Sequence, residues 1–345
     1  MKPDRRTLLG LLPAAAALAA STRPALAWRA RAQDPAAAAA EAAARAWPAE
    51  RPIRLIVPVA PGGSQDIVAR LTARHLADAL GQGVLVENLP GAGSNIGYEA
   101  AARARPDGYT LLAGSDSLSI NRALFPRLAF DPVEGFAPVA RTVLVPQILV
   151  VRADHPARTM EAFLALARRG ADAPPAVGTP GNGSLAHLLG EVVQEAAEAR
   201  WTHAPYRGGA LAVNDLLGGS LQGVLINIGA VTDHVRAGRL RGLFVSSAAR
   251  TAALPEVPTL EEAGIAGAAA VGWHGVVAPA GADPAVVARL NAEIRGVVRR
   301  PEVAERIAAL GMEPGDDAPE ALGALIRADA ERWAEVIRRA RIRPD

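Results

Sequence analysis

One local pattern repeats along the chain and restricts its fold more than any other feature: an apolar run, a turn of small polar residues with Gly or Pro, then an amphipathic stretch. The strand candidates are 51–59, 83–88, 109–114, 143–151, 176–178, 222–228, 240–246 and 271–278. The helix candidates are 67–80, a helix that follows Asn95, 159–169, 185–197, 211–217, 231–237, 284–299, 302–310 and 320–339. This alternation predicts an α/β protein with largely parallel pairing.

The pattern occurs in two stretches, joined by apolar crossings near 143–152 and 270–279. We therefore expect lobe 1 to comprise 48–147 and 275–345, and lobe 2 to comprise 148–274, with the C-terminal helices packed on lobe 1. A two-lobed α/β protein binds its ligand between the lobes, where strand ends and helix N-termini converge.

Composition excludes several classes of protein. The absence of Cys excludes a disulfide scaffold, a thiolate metal site, a Cys nucleophile and a lipidated N-terminal Cys. Lys2 is the single lysine of the sequence, which excludes a Walker-type loop and a Schiff-base lysine. Six His residues and 4% aromatic residues provide little for a metal centre or for stacking on bases. We expect no cofactor, no metal and no nucleic-acid partner.

Residues 1–27 have the features of an export signal. Arg5 and Arg6 precede an apolar run, and Ala25-Leu26-Ala27 provides a cleavage site. The arginine pair favours the twin-arginine route, with an ordinary secretory signal as the alternative. Removal of Lys2, Arg5, Arg6, Arg23 and Asp4 leaves 33 basic and 34 acidic side chains, so the mature protein is nearly neutral. An alanine-rich leader, 28–47, follows.

Two Gly-rich turns are the strongest candidates for a binding site. Pro61-Gly62-Gly63-Ser64-Gln65-Asp66 and Thr179-Pro180-Gly181-Asn182-Gly183-Ser184 each lie between a strand and a helix. Glycine lets the backbone approach a ligand, and the free N–H groups of a helix N-terminus attract an anion. Ser64 or Asp66 is expected to cap the first helix. One such turn per lobe predicts a clamp for a small anion, with an ordinary capped turn as the alternative.

Other candidates are weaker. Ser115-Asp116-Ser117 ends a strand, and Arg207 offers a cation for a second carboxylate, although a solvated arginine is equally compatible. His187 is expected to anchor a helix or pack in the core. The Gly spacing in 90–97 does not match a dinucleotide fingerprint. A serine hydrolase would need a His base beside Ser64, Ser115 or Ser184, and the sequence places His155, His203, His234 and His274 in no catalytic pattern.

Several blocks in order resemble one family. They are 48–58, 61–70, 86–97, 106–111, 181–184, 205–208, 215–219 and 254–259, which include Pro61-Gly62-Gly63-Ser64, Val86-Glu87-Asn88 and Pro205-Tyr206-Arg207-Gly208. The chain from about residue 48 is similar to the Bug (TctC-like) extracytoplasmic solute receptors of tripartite tricarboxylate transporters.

The resemblance implies a periplasmic binding protein-like fold of two α/β lobes with mixed sheets, closing on a small carboxylate held by backbone groups and ordered water. It implies no catalytic residue, a soluble monomer in the periplasm, and membrane permease subunits or a sensor protein as partner. The ligand-binding residues expected from the motifs and the resemblance are Ala60, Gly62, Gly63, Ser64, Ser115, Asp116, Thr179, Gly183, Ser184, Arg207 and Asn227.

The chain departs from the family pattern after Gly218-Gly219. Gln-Val-Asp and Phe-Asp-Asn are usual there, but this chain has Ser220-Leu221-Gln222 and Leu225-Ile226-Asn227, so both aspartates are replaced. A ligand with an amino group is therefore less favoured. Three functions remain open: carboxylate capture for a permease, carboxylate sensing for a signalling partner, and serine hydrolysis.

Overall fold

The structure, a computed structural model, describes residues 47–169 and 174–344. The predicted export signal and the leader up to residue 46 lie outside the described residues. The strands are β1 Ile53–Val57, β2 Val84–Asn88, β3 Thr110–Ser115, β4 Phe136–Arg152, β5 Ala176–Thr179, β6 Thr202–Pro205, β7 Gly223–Asn227, β8 Leu240–Val245, β9 Val271–Pro279 and β10 Glu313–Pro314.

Helices connect most of these strands. They are α1 Ser64–Leu80, α2 Asn95–Ala102, α3 Ser117–Leu124, α4 Met160–Arg169, α5 Leu185–Ala196, α6 Gly209–Leu217, α7 Thr232–Arg236, α8 Pro284–Val298, α9 Pro301–Ala309 and α10 Pro319–Ala340. Short 3₁₀ turns occupy Ala92–Ser94 and Ile228–Ala230. The sequence pattern predicted most of these elements. The short elements α3 and β10 were not predicted, and β6 was expected only as a strand-like segment before Tyr206.

Strand pairing divides the protein into two mixed sheets. In the first sheet β1 lies parallel to β2 and β3, and β3 pairs antiparallel with β9. In the second sheet β5 lies parallel to β6 and β7. This confirms the predicted two-lobed α/β architecture, with the antiparallel pairs contributed by β4 and β9.

Strand β4 belongs to both sheets. Its first part, through Pro146, pairs antiparallel with β9, and its last residues, from Gln147, pair with β7 and β8. β4 changes partner at Pro146, and the chain enters β9 at Val271. Both positions lie close to the predicted limits of the lobes, and the division of the chain at these limits remains a proposal. The predicted strand 143–151 is therefore only part of a longer one, because Pro138 and Arg141, at register shifts, interrupt its apolar pattern.

Helix α10 packs on both halves of the protein, so its contacts extend beyond the packing on lobe 1 that the sequence led us to expect. Leu322 and Ile326 join a core with Ile56 and Trp273 of the first sheet. Farther along the helix, Trp333, Val336 and Ile337 join a second core, which includes Leu188 and Leu189 of α5. The apolar positions of α10 recur at helical spacing, so successive turns of one face bury against different partners.

Candidate ligand-binding cleft

The first Gly-rich turn leads from β1 directly into α1. Gly62 has a φ of +89°, a conformation that favours glycine, and Gly63 is the N-cap residue of the helix. The helix begins at Ser64, earlier than predicted, and neither Ser64 nor Asp66 caps it through its side chain. The expected cap was wrong because Asp66 has another role.

The side chain of Asp66 holds the first Gly-rich turn in place through hydrogen bonds. Its carboxylate accepts hydrogen bonds from Gly62 N at 2.9 Å, from Asn88 Nδ2 at 2.8 Å and from Arg70 Nε at 3.0 Å. Burial acts to raise the pKa of Asp66, but these hydrogen bonds outweigh it and lower the pKa below its usual value. The carboxylate is therefore fully engaged in holding the turn and is not a free ligand group.

The second Gly-rich turn leads from β5 into α5. Ser184 caps α5 by accepting from His187 N at 3.3 Å, and its hydroxyl donates to the carbonyl of Gly181 at 2.8 Å. Gly183 has a φ of +70°, and its N–H donates to His187 Nδ1 at 3.1 Å. His187 thus anchors the turn, in agreement with the expectation that it is structural.

A stacked imidazole pair supports this turn. The rings of His187 and His203 lie 3.6 Å apart between centroids at an interplanar angle of 15°, and Thr179 Oγ1 lies 2.7 Å from His203 Nε2. Burial, with the proximity of His203, lowers the pKa of His187 to about 3. His187 is therefore neutral at pH 7, as it must be for Nδ1 to accept the Gly183 N–H.

Two carboxyl groups interact near the end of β3: those of Asp116, which follows the strand, and Asp329 of α10. Burial, together with the nearby carboxyl of Asp329, raises the pKa of Asp116 to about 7. Burial also raises the pKa of Asp329, to about 6. Asp116 is the N-cap residue of α3, next to Ser115, whose Oγ lies 3.3 Å from the hydroxyl of Tyr98. Asp116 is substantially protonated near neutral pH and can donate a hydrogen bond.

His274 of β9 faces the first turn. Its Nε2 lies 3.3 Å from Ser64 Oγ, and its Nδ1 is buried with no hydrogen-bond partner in the described part of the chain. Burial lowers the pKa of His274 to about 4, so the ring is neutral at pH 7. The contact meets one requirement of a Ser–His pair, but no carboxylate orients the imidazole within that part.

These elements enclose a cavity of about 270 Å³, called here the polar cavity. The first turns of α1, α3 and α5 all contribute to it. Hydroxyl, amide, imidazole and carboxyl side chains line it, and none of its described lining residues is Lys or Arg. They are Val59, Gly63, Ser64, Gln65, Ser115, Asp116, Ser117, Val145, Gln147, Pro180, Ser184, Leu185, Ala186, Asn227 and His274.

A second cavity of about 360 Å³, called here the adjoining cavity, lies next to the first. The two share four lining residues: Gly63, Ser64, Pro180 and Asn227. The rest of its wall combines aliphatic side chains from α1, α6, β7 and the end of α9 with glycines, an amide and an imidazole. The remaining lining residues are Gly62, Ile67, Gly209, Ala210, Val213, Asn214, Ile226, Gly229, Ala230, His234 and Leu310.

A larger cavity, about 650 Å³, lies elsewhere, beside β8 and the start of α4. Arg158, Arg241, Glu161 and Glu256 are among its lining residues, and none of the predicted site residues is. Size alone therefore does not identify the candidate site. The polar cavity has the convergent polar groups that ligand sites use.

The structure brings most of the predicted site residues together. The polar cavity is lined by six of them: Gly63, Ser64, Ser115, Asp116, Ser184 and Asn227. Gly62 lines the adjoining cavity. The remaining four line neither cavity: Ala60, Thr179, Gly183 and Arg207.

Of these four, two support the second turn and two are exposed. Thr179 and Gly183 act through His203 and His187. Ala60 and Arg207 are exposed. The assignment of all eleven residues to ligand contact remains a proposal.

Sequence reasoning missed two polar residues of the crossing strands. Gln147 of β4 and His274 of β9 line the polar cavity, each within an otherwise apolar run. A polar side chain inside a buried strand needs a partner or a ligand, so this interruption was the available signal. The adjoining cavity was missed because Ile67, Ile226 and Leu310 come from distant segments with no common motif.

Comparison with known families gives the same assignment as the motifs. A family model described as "Tripartite tricarboxylate transporter family receptor" matches residues 68–342. The chain belongs to this receptor family. The resemblance inferred from the Gly-rich turns and the downstream blocks is thereby confirmed.

Individual relatives and solved structures are similar to most of the chain. Protein BugT of Bordetella pertussis is 39% identical over 304 residues, covering 87% of this chain and 92% of its own length. The R. palustris protein Rpa4515, solved with adipate, is 30% identical with a TM-score of 0.79, covering 87% and 100% of the two chains. MatC from Rhodopseudomonas palustris, solved with malate, is 30% identical with a TM-score of 0.75, covering 84% and 99%.

None of the helices among the described residues has the length and apolar character needed to cross a membrane. Within the same residues there is no group of three or more His, Asp or Glu side chains arranged to hold a metal ion.

Proposed function

We propose that this protein is an exported, periplasmic, non-enzymatic receptor that captures a small organic carboxylate for the permease of a tripartite tricarboxylate-type transporter. The ligand's carboxylate occupies the polar cavity, and the two lobes close around it. Membership of the receptor family supports this role, as do two related structures that contain malate and adipate.

The convergence of three helix N-termini on the polar cavity is the observation that carries the proposal. Gly63 and Ser64 of α1, Asp116 and Ser117 of α3, and Ser184 of α5 line it together. The first N–H groups of a helix have no partner within the helix, and the helix dipole places partial positive charge there. An anion is therefore stabilised without a fixed cation.

Side chains around the cavity complete the hydrogen bonding of a carboxylate. Ser64 and Ser184 provide hydroxyls, Gln147 an amide, and protonated Asp116 an additional donor. Hydroxyl and amide donors to an ionised group form stronger hydrogen bonds than those between neutral groups. Selectivity for carboxylates follows from the number of donors rather than from an ion pair.

Titration calorimetry on the purified protein tests the proposal. Endogenous ligand is first removed by unfolding and dialysis, and the refolded protein is titrated with mono-, di- and tricarboxylates, a sugar and an amine. A carboxylate should bind with a Kd in the micromolar range or below, while the neutral and cationic probes should not. Binding of the sugar or the amine, with no heat from any carboxylate, would contradict it.

Transport and sensing are then separated in cells. Deletion of the gene should abolish uptake of the labelled carboxylate if the receptor serves a permease. Unchanged uptake, with loss of a transcriptional response to the carboxylate, would instead support the sensing alternative.

A further inference from the structure

We infer that the outer edge of strand β8 is a docking site for an extended segment of a partner protein, which adds to the second sheet as a strand and presents acidic side chains to Arg241. The site is the larger cavity of about 650 Å³, which shares no described lining residue with the polar cavity or the adjoining cavity. Docking at this edge is therefore independent of the identity of the ligand.

Strand β8 lies at an edge of the second sheet. It pairs antiparallel with the last residues of β4, and no strand of the described chain pairs with the other side of 240–244. Only Val245, at the end of β8, is bonded on that side: Val245 N donates to Pro258 O at 2.8 Å, and Leu260 N donates to Val245 O at 3.1 Å. An open edge of this kind presents main-chain donors and acceptors to another chain.

The register of β8 determines which of its residues face outward. Arg239 O accepts a hydrogen bond from Ala153 N at 3.1 Å and so faces β4, as does Arg241 two residues later. In an antiparallel ladder, residues bonded to one neighbouring strand alternate with residues that point away from it. Leu240 and Gly242 therefore direct their N–H and C=O groups away from β4, and neither residue has a hydrogen bond on that side within the described chain.

The larger cavity lies along this open edge. The four consecutive residues 240–243 all line it, although their side chains alternate between the two faces of the sheet. Met160, which shares a core with Leu243, and Val257, which shares a different core with Leu240, line it as well. The cavity therefore extends around the edge from one face to the other, which is the space that an added strand occupies.

One side of the cavity is apolar. Val235 and Val257 line it and pack with Leu240 in the same core. A Cβ at Gly242 would lie 2.6 Å from Val257 Cγ2, so Val257 covers the main chain of the strand directly. A docked segment places alternate side chains on this side, and apolar side chains are the ones that pack against such a wall.

On the opposite side, Arg241 carries a positive charge that has no partner. Its Nη1 atom is buried without a hydrogen bond. Neither Arg241 nor the exposed Arg158, which also lines the cavity, forms an ion pair within the described residues. A buried, unpaired guanidinium is costly, and a carboxylate from a partner removes this cost through charge-assisted hydrogen bonds.

The acidic residues around the cavity leave this charge available. Glu262 is already paired, since its carboxylate accepts from Arg250 Nε at 2.7 Å. Glu161 and Glu256 are exposed, so water and salt screen their charges. The segment that fits both sides of the cavity therefore alternates apolar and acidic side chains.

Three synthetic pentapeptides test the inference on the purified protein. Acetyl-Val-Glu-Val-Glu-Val-amide has the expected alternation, and acetyl-Val-Lys-Val-Lys-Val-amide reverses its charge. The third peptide is the acidic one with every main-chain nitrogen methylated, so it has no main-chain donors. We expect the first peptide to bind at least about 10-fold more tightly than the other two, because it alone offers both carboxylates and main-chain donors. Equal or tighter binding of the lysine peptide would contradict the inference.

Amide hydrogen exchange, followed by NMR, locates the bound peptide. At saturation, the acidic peptide should slow exchange of the Leu240 and Gly242 amides at least about 10-fold, because they gain main-chain acceptors. The amide of Arg241 already faces β4 and should not change, which makes it the internal control. If the Leu240 and Gly242 amides do not slow, any peptide binding occurs elsewhere and the inference fails.

A matched pair of variants tests the charge preference. Arg241→Gln should weaken binding of the acidic peptide about 10-fold, because it removes the unpaired cation. Arg239 is exposed and does not line the cavity, so Arg239→Gln should leave the affinity unchanged. Equal affinities of the two variants would refute the role of Arg241. Both variants should bind carboxylates as the parent protein does, so a failure of the proposed function would be seen separately in the parent.

Two further outcomes would assign the edge to a different occupant and overturn the inference. A dimer in analytical ultracentrifugation, with the Leu240 and Gly242 amides protected before any peptide is added, would assign the edge to a second copy of this chain. Protection of the same amides in a peptide-free monomer would assign it to another segment of the same chain. Circular dichroism and thermal unfolding establish that both variants are folded.

Discussion

Ser64 and His274 lie 210 residues apart in the chain, yet Ser64 Oγ is 3.3 Å from His274 Nε2. The contact joins the start of α1 to β9 across the polar cavity. Because burial lowers the pKa of His274 to about 4, the ring is neutral at pH 7, and its Nε2 accepts from or donates to the serine hydroxyl according to the tautomer. The geometry suits positioning of a hydrogen-bond donor toward a ligand.

Ser64→Ala should weaken carboxylate binding about 10-fold, because the anion loses a hydroxyl donor. Calorimetry of the parent and variant measures the loss. Neither protein should hydrolyse a p-nitrophenyl ester above the background rate. Turnover by the parent that disappears in Ser64→Ala would contradict the binding role and support the hydrolase alternative.

Carboxylate binding should depend on the protonation of Asp116. The pKa of Asp116 is raised to about 7, so the group is protonated below that pH and ionised above it. An ionised Asp116 repels a carboxylate in the same cavity, and affinity should fall as pH rises through 7. Binding should therefore be accompanied by proton uptake, measured by calorimetry in buffers of different ionisation enthalpy.

Two variants control for this dependence. Asp116→Asn should remove the pH dependence and the proton uptake. Asp329→Asn should shift the dependence to lower pH, since the Asp329 carboxyl contributes to the raised pKa of Asp116. The ligand chosen for this test stays ionised throughout the pH range. An unchanged pH dependence of binding in Asp116→Asn would then show that another group titrates.

The stability of the protein should fall in acid because of His187. The pKa of His187 is lowered to about 3 in the folded state, compared with about 6.5 in an unfolded chain. The contribution of neutral His187 to the free energy of unfolding is complete above pH 6.5. It is lost as pH falls toward 3, since the unfolded state binds the proton more readily. The expected loss is about 2 kcal/mol between pH 6.5 and 5, measured by urea unfolding.

His187→Asn tests the origin of this loss. The asparagine amide oxygen can still accept the Gly183 N–H but does not titrate. The variant should retain ligand binding and show a flatter stability profile between pH 6.5 and 5. An equally steep profile in the variant would assign the acid sensitivity to other groups.

Gly183→Ala should destabilise the second turn by at least about 2 kcal/mol. Gly183 has a φ of +70°, and a Cβ at this position would overlap the side chain of Leu124. The exposed helical Gly296 has no atom within 4 Å of such a Cβ, so Gly296→Ala should stabilise the protein by about 0.5–1 kcal/mol. Thermal unfolding of both variants provides the comparison; equal effects would contradict the role of Gly183.

The local parts of the site could be predicted from the sequence. Pro61-Gly62-Gly63 and Gly181-Asn182-Gly183 predict turns because proline, glycine and asparagine favour the backbone conformations that turns need. Asp116 was predicted because a polar residue at the end of a buried strand faces the same edge of the sheet as these turns, whereas Asn227 was predicted through the family resemblance.

The remainder depends on tertiary structure. His274 meets Ser64 only through the register of β9 with β3, in which His274 pairs with Ser115. The role of Asp66 depends on Asn88 of β2 as well as on its near neighbours Gly62 and Arg70, so its position in the first turn of a helix suggested a cap instead. No local pattern specifies such long-range register, which packing decides.

The position of β9 has a consequence for how the protein is made. β9 lies between β3 and β4 in the first sheet, but the ribosome reaches Val271 only after both neighbours have been synthesised. Until then the facing edges of β3 and β4 are open to pairing with other chains. Loss of the chain from residue 271 onward, by proteolysis or a premature stop, therefore removes the strand between β3 and β4. The remaining fragment is prone to aggregate.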